Sequence, residues 1–161
     1  MSANVVELLT IGFGTLLFAT ILIMGFVDCR RLVLPDCLNL VLAAGGVGQA
    51  FIRGDPGFVN AGAGALVGFL ALYTVAKLFR RARGIDGLGF GDQKFAASAG
   101  LWLGWEHIAP MLAIASITAL GFVVIRWMQT GTFDRYHRMP FGPFLGFGTA
   151  VCWLGAVVFS S

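Results

Sequence analysis

Charged residues are scarce in this chain of 161 residues, and the shortage decides its class. Asp, Glu, Lys and Arg make up 12% of the sequence, against roughly 25% in soluble domains. Apolar residues make up 58%, and the mean hydropathy is +0.85. So few charges cannot cover a surface that faces water, which excludes a soluble enzyme, a nucleic-acid-binding module and a disordered tail. The sequence predicts an integral membrane protein, with a single domain over residues 1–161.

The chain also lacks paired cysteines and lacks cations before its first apolar segment. Cysteine occurs three times, at Cys29, Cys37 and Cys152, and never in a C-x-x-C pair. The sequence therefore predicts neither a disulfide framework nor a zinc ribbon. Lys and Arg are absent from residues 1–6, and the apolar run that follows is too long for a signal-peptide core. The first apolar segment is thus expected to stay in the protein.

Six apolar segments alternate with polar connections. They cover residues 5–27, 38–52, 59–79, 95–105, 108–128 and 142–159. A helix needs about 20 apolar residues to cross about 30 Å of hydrocarbon. We predict six transmembrane helices, of which the second and the fourth are short. Residues 95–128 could instead form one long or re-entrant element, which would reduce the number of helices to five.

The positions of the cations test this topology, because cytoplasmic connections are enriched in Lys and Arg. With the N-terminus outside, ten of the eleven cations fall in cytoplasmic connections or at the adjoining helix ends. They are Arg30, Arg31, Lys77, Arg80, Arg81, Arg83, Lys94, Arg126, Arg135 and Arg138. Arg53 alone falls outside, whereas five helices would move three more cations outside. The pattern predicts an all-α bundle of six helices with both termini outside.

Small and aromatic residues indicate how the helices pack. Glycines recur four residues apart at 64 and 68, 100 and 104, and 142 and 146, a spacing that lets helices approach closely in lipid. The tryptophans lie near predicted helix ends, which is typical of interfacial anchors. They are Trp102, Trp105, Trp127 and Trp153.

Three aspartates lie where predicted helices reach the membrane edge. Asp28 follows the first apolar segment, Asp36 precedes the second, and Asp92 precedes the fourth. Ionisable groups at membrane depth are costly, and this makes them functional candidates. Each also has a structural interpretation. Asp36 and Asp92 can satisfy backbone N–H groups at a helix start, and Asp28 can pair with Arg31.

The topology brings two of these aspartates to one face. Two crossings separate Asp28 from Asp92, so both return to the cytoplasmic side. Glycines at 87, 89 and 91 leave the backbone before Asp92 free to approach another helix end or an extended peptide. Two carboxyls in a poorly hydrated site share one proton, so that one acts as base on a water and the other as acid on a carbonyl. This arrangement is typical of aspartyl proteases.

Helix dipoles predict which aspartate holds the shared proton. Asp92 is expected at a helix N-terminus, whose positive end favours the carboxylate, and Asp28 at a helix C-terminus, which disfavours it. The prediction is an ionised Asp92 and a protonated Asp28, as the dominant state of a pair that titrates together.

Three sequence blocks surround the candidate site. Residues 26–36 read FVDCRRLVLPD, residues 87–95 read GLGFGDQKF and are followed by GLWLG, and residues 139–145 read MPFGPFL. The blocks resemble, in order, the first catalytic motif, the GxGD motif and the Pro-Phe-Gly-Pro segment of the type IV prepilin peptidases. The resemblance spans nearly the whole chain. Besides the two aspartates, the matching residues are Pro35, Asp36, Gly89, Gly91, Lys94, Pro140, Gly142 and Pro143.

The resemblance implies an activity. Enzymes of this family remove short basic leader peptides from type IV prepilins or pseudopilins, cutting after a glycine at the cytoplasmic face of the bacterial inner membrane. It implies that Asp28 and Asp92 are catalytic and that Asp36 is not. From composition and residue spacing we expect no metal, no cofactor and no nucleic acid. The candidate counter-charges for a basic leader are Asp36, Asp86 and Asp134. Lys94 either stabilises developing negative charge or anchors at lipid headgroups.

The chain departs from larger family members, which carry a cysteine-rich zinc segment linked to N-methylation of the trimmed pilin by S-adenosylmethionine. We expect a single-domain form without that segment, so peptidase activity is implied and methyltransferase activity is doubtful. The Pro-Phe-Gly-Pro block favours the pilus and type II secretion branch, whereas the size favours the Tad branch. Two alternatives from other classes are a small proton- or ion-coupled transporter and a non-enzymatic subunit of a secretion machine.

Overall fold

A computed structural model describes residues 3–85, 87–130 and 140–159 of the chain. These residues form six α-helices and one 3-10 turn, which confirms the all-α class and the number of helices. The elements are α1 (Ala3–Arg31), α2 (Asp36–Ile52), α3 (Phe58–Arg83), α4 (Phe90–Leu103), the 3-10 turn (Trp105–His107), α5 (Ile108–Thr130) and α6 (Gly142–Phe159).

Several helices extend beyond their apolar segments. The third apolar segment stops at residue 79, but α3 continues to Arg83. It ends at Gly84, whose φ of 70° and whose N–H bond to the Arg80 carbonyl, at 2.8 Å, form a left-handed cap. The backbone hydrogen bonds of a helix do not require apolar side chains, so the cationic end of α3 stays helical.

Gly104 separates α4 from the 3-10 turn that leads into α5. Its φ is 73°, a conformation that side-chain-bearing residues rarely adopt, and a Cβ built there would lie 3.1 Å from the Cβ of Pro56. This break rules out a single continuous helix over residues 95–128.

Three helical stretches are long and apolar enough to cross a membrane. They are Asn4–Arg31, Phe58–Arg83 and Trp105–Thr130, and shorter apolar helices cover Asp36–Ile52 and Gly142–Val158. Helix α4 is not among them, because its 14 residues span only about 21 Å. The described residues thus support a membrane protein with three clear candidate spans.

Helix α4 lies at the centre of the bundle, packed against α2, α3 and α6. Its buried residues include Phe95, Ala96, Ala99, Trp102 and Leu103. The backbones of α3 and α4 touch where Gly64 meets Gly100 and where Gly68 meets Ala96. Larger side chains at these glycines would separate the helices, so the four-residue glycine spacing predicted this packing correctly.

Two of the four tryptophans are not interfacial anchors. Trp102 and Trp153 are buried, at 2% and 5% exposure, whereas Trp105 and Trp127 are exposed as expected. A buried indole needs a hydrogen-bond acceptor for its N–H group. Trp102 donates to the Leu42 carbonyl at 2.7 Å and Trp153 to Oε1 of Gln49 at 2.9 Å. The prediction failed because the sequence does not show that these two rings face other helices.

Successive helices run in alternating directions, which gives the bundle two distinct ends. The carboxylate end contains the C-terminal part of α1 and the first turns of α4 and α6, with Asp28, Asp92 and Gly142. The glutamine end contains the C-terminal parts of α2 and α4, with Gln49 and Trp102.

Candidate active site

Asp28 lies in the last turn of α1 and is buried, with 4% of its surface exposed. Its carboxylate Oδ2 accepts a hydrogen bond from the backbone N–H of Gly142, at 3.0 Å. Among the described residues it forms no ion pair with Arg31, which is exposed. The carboxylate therefore faces the first turn of α6, and the simple pairing with a neighbouring arginine is not found.

Asp92 is the third residue of α4 and is buried, with 7% of its surface exposed. Its carboxylate accepts a hydrogen bond from the backbone N–H of Gly89, the residue that caps the helix. This is the reciprocal half of a capping box, so part of the structural interpretation holds. However, Oδ1 of Asp92 is buried and has no hydrogen-bond partner in the described part of the chain. A cap alone does not explain a buried oxygen without a partner.

Burial and a neighbouring charge change the acidity of Asp92, which lies outside the three candidate spans. Burial, and secondarily the negative charge of Asp28, raise the pKa of Asp92 to about 7, although the Gly89 N–H opposes this. A protonated Asp92 is thus favoured up to neutral pH. Asp28 likewise accepts a main-chain N–H at a helix start, from Gly142 of α6. Burial of Asp92 opposes the dipole of α4, so the helix dipole alone does not decide which carboxyl holds the shared proton.

A cavity of about 990 Å³ opens at the carboxylate end. Both aspartates line it, together with Leu34, Tyr73, Lys77 and Phe141. The wall comes from α1, α3, α4 and the connections before α2 and α6. The volume admits an extended peptide segment beside two carboxyl groups. The structure thus brings together the two residues that the sequence nominated as catalytic.

Asp36 and Lys94 also line this cavity, and they pair with each other. Lys94 Nζ lies 2.6 Å from Oδ1 of Asp36 and 5.0 Å from the centre of the Phe90 ring. Helix α2 begins at Asp36, but Pro35 occupies its cap position without a side-chain hydrogen bond. Asp36 therefore binds a cation of α4, which differs from the capping role predicted for it.

The remaining predicted residues have distinct positions. Pro140 lies on the cavity wall, and Gly142 and Pro143 begin α6. Gly91 packs against Leu34, where an added Cβ would lie 3.0 Å from the Cβ of Leu34. Sequence reasoning missed Leu34, an ordinary leucine in the connection between α1 and α2. Its one signal was its position directly before Pro35 and Asp36.

Some candidates fall outside the described residues. They are Asp86, Asp134, Arg135 and Arg138. Within the described ranges, no group of three His, Cys, Asp or Glu side chains could hold a metal ion. Cys29 and Cys37 are exposed and unbridged.

Comparison with known proteins identifies the family. The model of the type IV leader peptidase family matches residues 15–124. The prepilin leader peptidase/N-methyltransferase of Burkholderia pseudomallei strain 1026b is 37% identical over 141 residues, which cover 86% of this chain and 44% of the relative. The protein of that name from Aeromonas salmonicida strain A449 is 32% identical over 156 residues, covering 90% of this chain and 51% of the relative.

A third relative of the same name, from Xanthomonas campestris pv. campestris, is 34% identical over 141 residues, covering 83% of this chain and 47% of the relative. The chain thus spans about half the length of these curated relatives. No solved structure matches. The family match covers more than half of the chain, and it includes both buried aspartates. The protein belongs to the type IV leader peptidase family.

Proposed function

We propose that this protein is an aspartic endopeptidase that removes the basic leader from type IV prepilins or pseudopilins, cutting after a glycine. The observation that carries the proposal is the pair of buried carboxyls, Asp28 from α1 and Asp92 from α4, on one cavity wall. Each carboxyl accepts one main-chain N–H, and burial raises the pKa of Asp92 to about 7. Such a pair supplies a base and an acid at the same pH.

The proposed reaction starts with Asp28 ionised and Asp92 protonated. Asp28 takes a proton from water while the water oxygen bonds to the carbonyl carbon, and Asp92 gives its proton to the carbonyl oxygen. Asp28 then passes its proton to the amide nitrogen as the C–N bond breaks. One hydroxyl of the diol returns a proton to Asp92 as the carbonyl re-forms. The two carboxyls end in their starting states, and one water is consumed.

The charge distribution supports a cytoplasmic location for the carboxylate end, with both termini outside. The described cations at this end are Arg30, Arg31, Lys77, Arg80, Arg81, Arg83, Lys94 and Arg126, while Arg53 lies at the glutamine end. Positively charged connections face the cytoplasm in membrane proteins. We therefore propose that cleavage takes place at the cytoplasmic face of the inner membrane.

The described carboxylates offer little support for an ion-coupled transporter. Asp28, Asp36 and Asp92 lie at one end of the bundle, and Glu7, Asp55 and Glu106 lie towards the other. Within the part of the chain that the structure covers, no acidic side chain lies between the two groups. A relay of ions needs ionisable side chains along the path, and the described residues between the two ends include no acidic one.

The test of the proposal is cleavage of a purified type IV prepilin by the purified protein in detergent, followed by mass spectrometry. Asp28→Asn and Asp92→Asn should each lower kcat at least about 1,000-fold, because each removes a group that holds or moves a proton. Their Tm values should stay near that of the wild type.

The matched control is Asp55→Asn, which makes the same change at the glutamine end, where the Asp55 carboxylate lies 3.9 Å from Arg53. We expect this variant to cleave at the wild-type rate. A wild-type protein that leaves prepilin uncut would contradict the proposed activity. Substantial cleavage by either aspartate variant would remove that residue from the site.

A further inference from the structure

The first turn of α6 has one unusual feature, which is the direction of the Gly142 amide. Amides at the start of a helix lack partners within the helix. The N–H groups of Phe144 and Leu145 both bond to the Phe141 carbonyl, at 3.1 Å, and Pro143 has no N–H. The Gly142 N–H instead crosses to α1 and donates to Oδ2 of Asp28 at 3.0 Å. An amide left over by helix geometry thus binds a candidate catalytic carboxylate.

The contact requires that residue 142 has no side chain. A Cβ built on Gly142 would lie 2.7 Å from Oδ2 of Asp28 and 3.3 Å from Cδ2 of Leu34. Leu34 is itself buried and packs on its other side against Gly91, one residue before Asp92. A larger residue at position 142 would therefore displace the Asp28 carboxylate from the amide. The absence of a side chain at Gly142 is what allows the hydrogen bond to form.

The two aspartates differ in the direction from which a main-chain amide reaches them. Asp92 receives its N–H from Gly89, in the loop that leads into its own helix. Asp28 receives its N–H from a residue 114 positions away in the sequence. A hydrogen bond to a carboxylate stabilises the ionised form, and the positive end of a helix adds to the effect.

We propose that the main-chain N–H of Gly142 is a positioning group for the reaction, which holds Asp28 in the orientation of the base. The inference rests on the proposed function and deepens it, since it assigns the attack on water to Asp28 through a contact with α6. Gly142 does not touch the substrate in this proposal. It acts through Asp28, so its removal should lower kcat and leave KM nearly unchanged.

The direct test replaces Gly142 with glycolic acid by cell-free synthesis into nanodiscs. This turns the amide between Phe141 and Gly142 into an ester. The ester removes the N–H without adding a Cβ, and it costs α6 no internal hydrogen bond. We expect kcat for prepilin cleavage to fall by about 10- to 100-fold, the range for a hydrogen bond to a charged group, with Tm unchanged.

The matched control is the same ester at Gly146, which lies one turn along α6 and packs against Ile21 of α1. In a helix the N–H of residue 146 bonds to the carbonyl of residue 142, so this ester breaks a helical hydrogen bond. We expect its Tm to fall while kcat stays at the wild-type value. If the Gly142 amide only stabilises the fold, both esters should lower Tm and leave kcat unchanged. If the amide positions Asp28, the Gly142 ester should lower kcat at unchanged Tm, and the Gly146 ester should lower Tm at unchanged kcat.

A second variant, Gly142→Ala, keeps the N–H but displaces the carboxylate. We expect kcat to fall and the carboxyl carbon-13 resonance of Asp28 to move, in protein labelled at aspartate and assigned with Asp28→Asn. If the wild type cleaves prepilin and the Gly142 ester keeps more than half of its kcat, the inference is wrong while the proposed function stands. An unmoved Asp28 resonance in Gly142→Ala would overturn it too. Absence of cleavage by the wild type would instead overturn the proposed function.

Discussion

The two ends of the bundle differ in how they bury Gln49 and Asp92. At the glutamine end, Nε2 of Gln49 donates to the carbonyls of Asp55 and Trp102, both at 3.2 Å, and Oε1 accepts from Trp153. At the carboxylate end, Oδ1 of Asp92 and Oε1 of Gln93 are buried without a partner among the described residues. A buried polar group with all its partners stabilises a fold, whereas one without them is available to a substrate or water.

The cavities at the two ends of the bundle differ in volume. The cavity at the glutamine end has a volume of about 130 Å³, and the one at the carboxylate end about 990 Å³. The smaller cavity is lined in part by Gln49, Trp102 and Trp153, whose side chains are hydrogen-bonded. The larger cavity leaves room for a peptide.

Gln49→Leu should have the largest effect on stability. Because it should leave kcat unchanged, it distinguishes the role of the glutamine end from that of the carboxylate end most clearly. The change removes the buried partner of the Trp153 N–H and of the Trp102 carbonyl and the part-buried bond to the Asp55 carbonyl, which should lower the free energy of unfolding by about 3 kcal/mol. Thermal unfolding in detergent measures the loss. The folded fraction should keep the kcat of the wild type, and a tenfold lower kcat would show that the glutamine end takes part in the reaction.

The pH dependence of cleavage should show the next largest effect. Burial raises the pKa of Asp92 to about 7, so its proton is present below that pH and is lost as the pH rises through it. We expect kcat/KM to fall roughly tenfold per pH unit above pH 7, because the ionised Asp92 cannot protonate the carbonyl oxygen.

Asp28→Asn should lower the pKa of Asp92, since it removes a nearby negative charge. Carbon-13 NMR of labelled carboxyl groups measures this change. A flat rate profile up to pH 9 would show that Asp92 does not supply the proton. The Gln49→Leu protein should keep the same profile as the wild type.

The ion pair between Asp36 and Lys94 should contribute least to stability. Asp36 is 75% exposed and Lys94 36% exposed in their side chains, and exposed ion pairs are worth at most about 1 kcal/mol. Asp36→Asn and Lys94→Met should therefore each change the free energy of unfolding by less than about 1 kcal/mol. The kinetics distinguish the two roles considered for Lys94. A fall in kcat for Lys94→Met alone indicates stabilisation of developing charge, and unchanged kcat in both variants indicates an anchor.

Much of the fold was predictable, because apolar segments and glycine spacing carry direct physical information. The limits of α6 were predicted to the residue, and Gly64 and Gly100 meet as expected. Helix ends were less predictable. Helix α4 begins at Phe90 instead of residue 95, because a loop of glycines and polar residues can continue a helix without any apolar periodicity.

The site was predictable in its side chains and unpredictable in its backbone contacts. Asp28 and Asp92 reach one cavity, as expected when two helices, α2 and α3, lie between them in the chain. The N–H of Gly142 could not be foreseen, since every residue except proline has one and only the docking of α6 directs it. Gln49 was missed for a related reason. A single glutamine in an apolar helix gives no sign of three partners on other elements.

The contact between Gly142 and Asp28 has a consequence for biosynthesis. The ribosome makes Gly142 114 residues after Asp28. The nascent chain therefore carries both aspartates before it contains the amide proposed to orient one of them. Under the proposed mechanism, we expect a chain that still lacks α6 to cleave its neighbours in the membrane more slowly than the folded protein does.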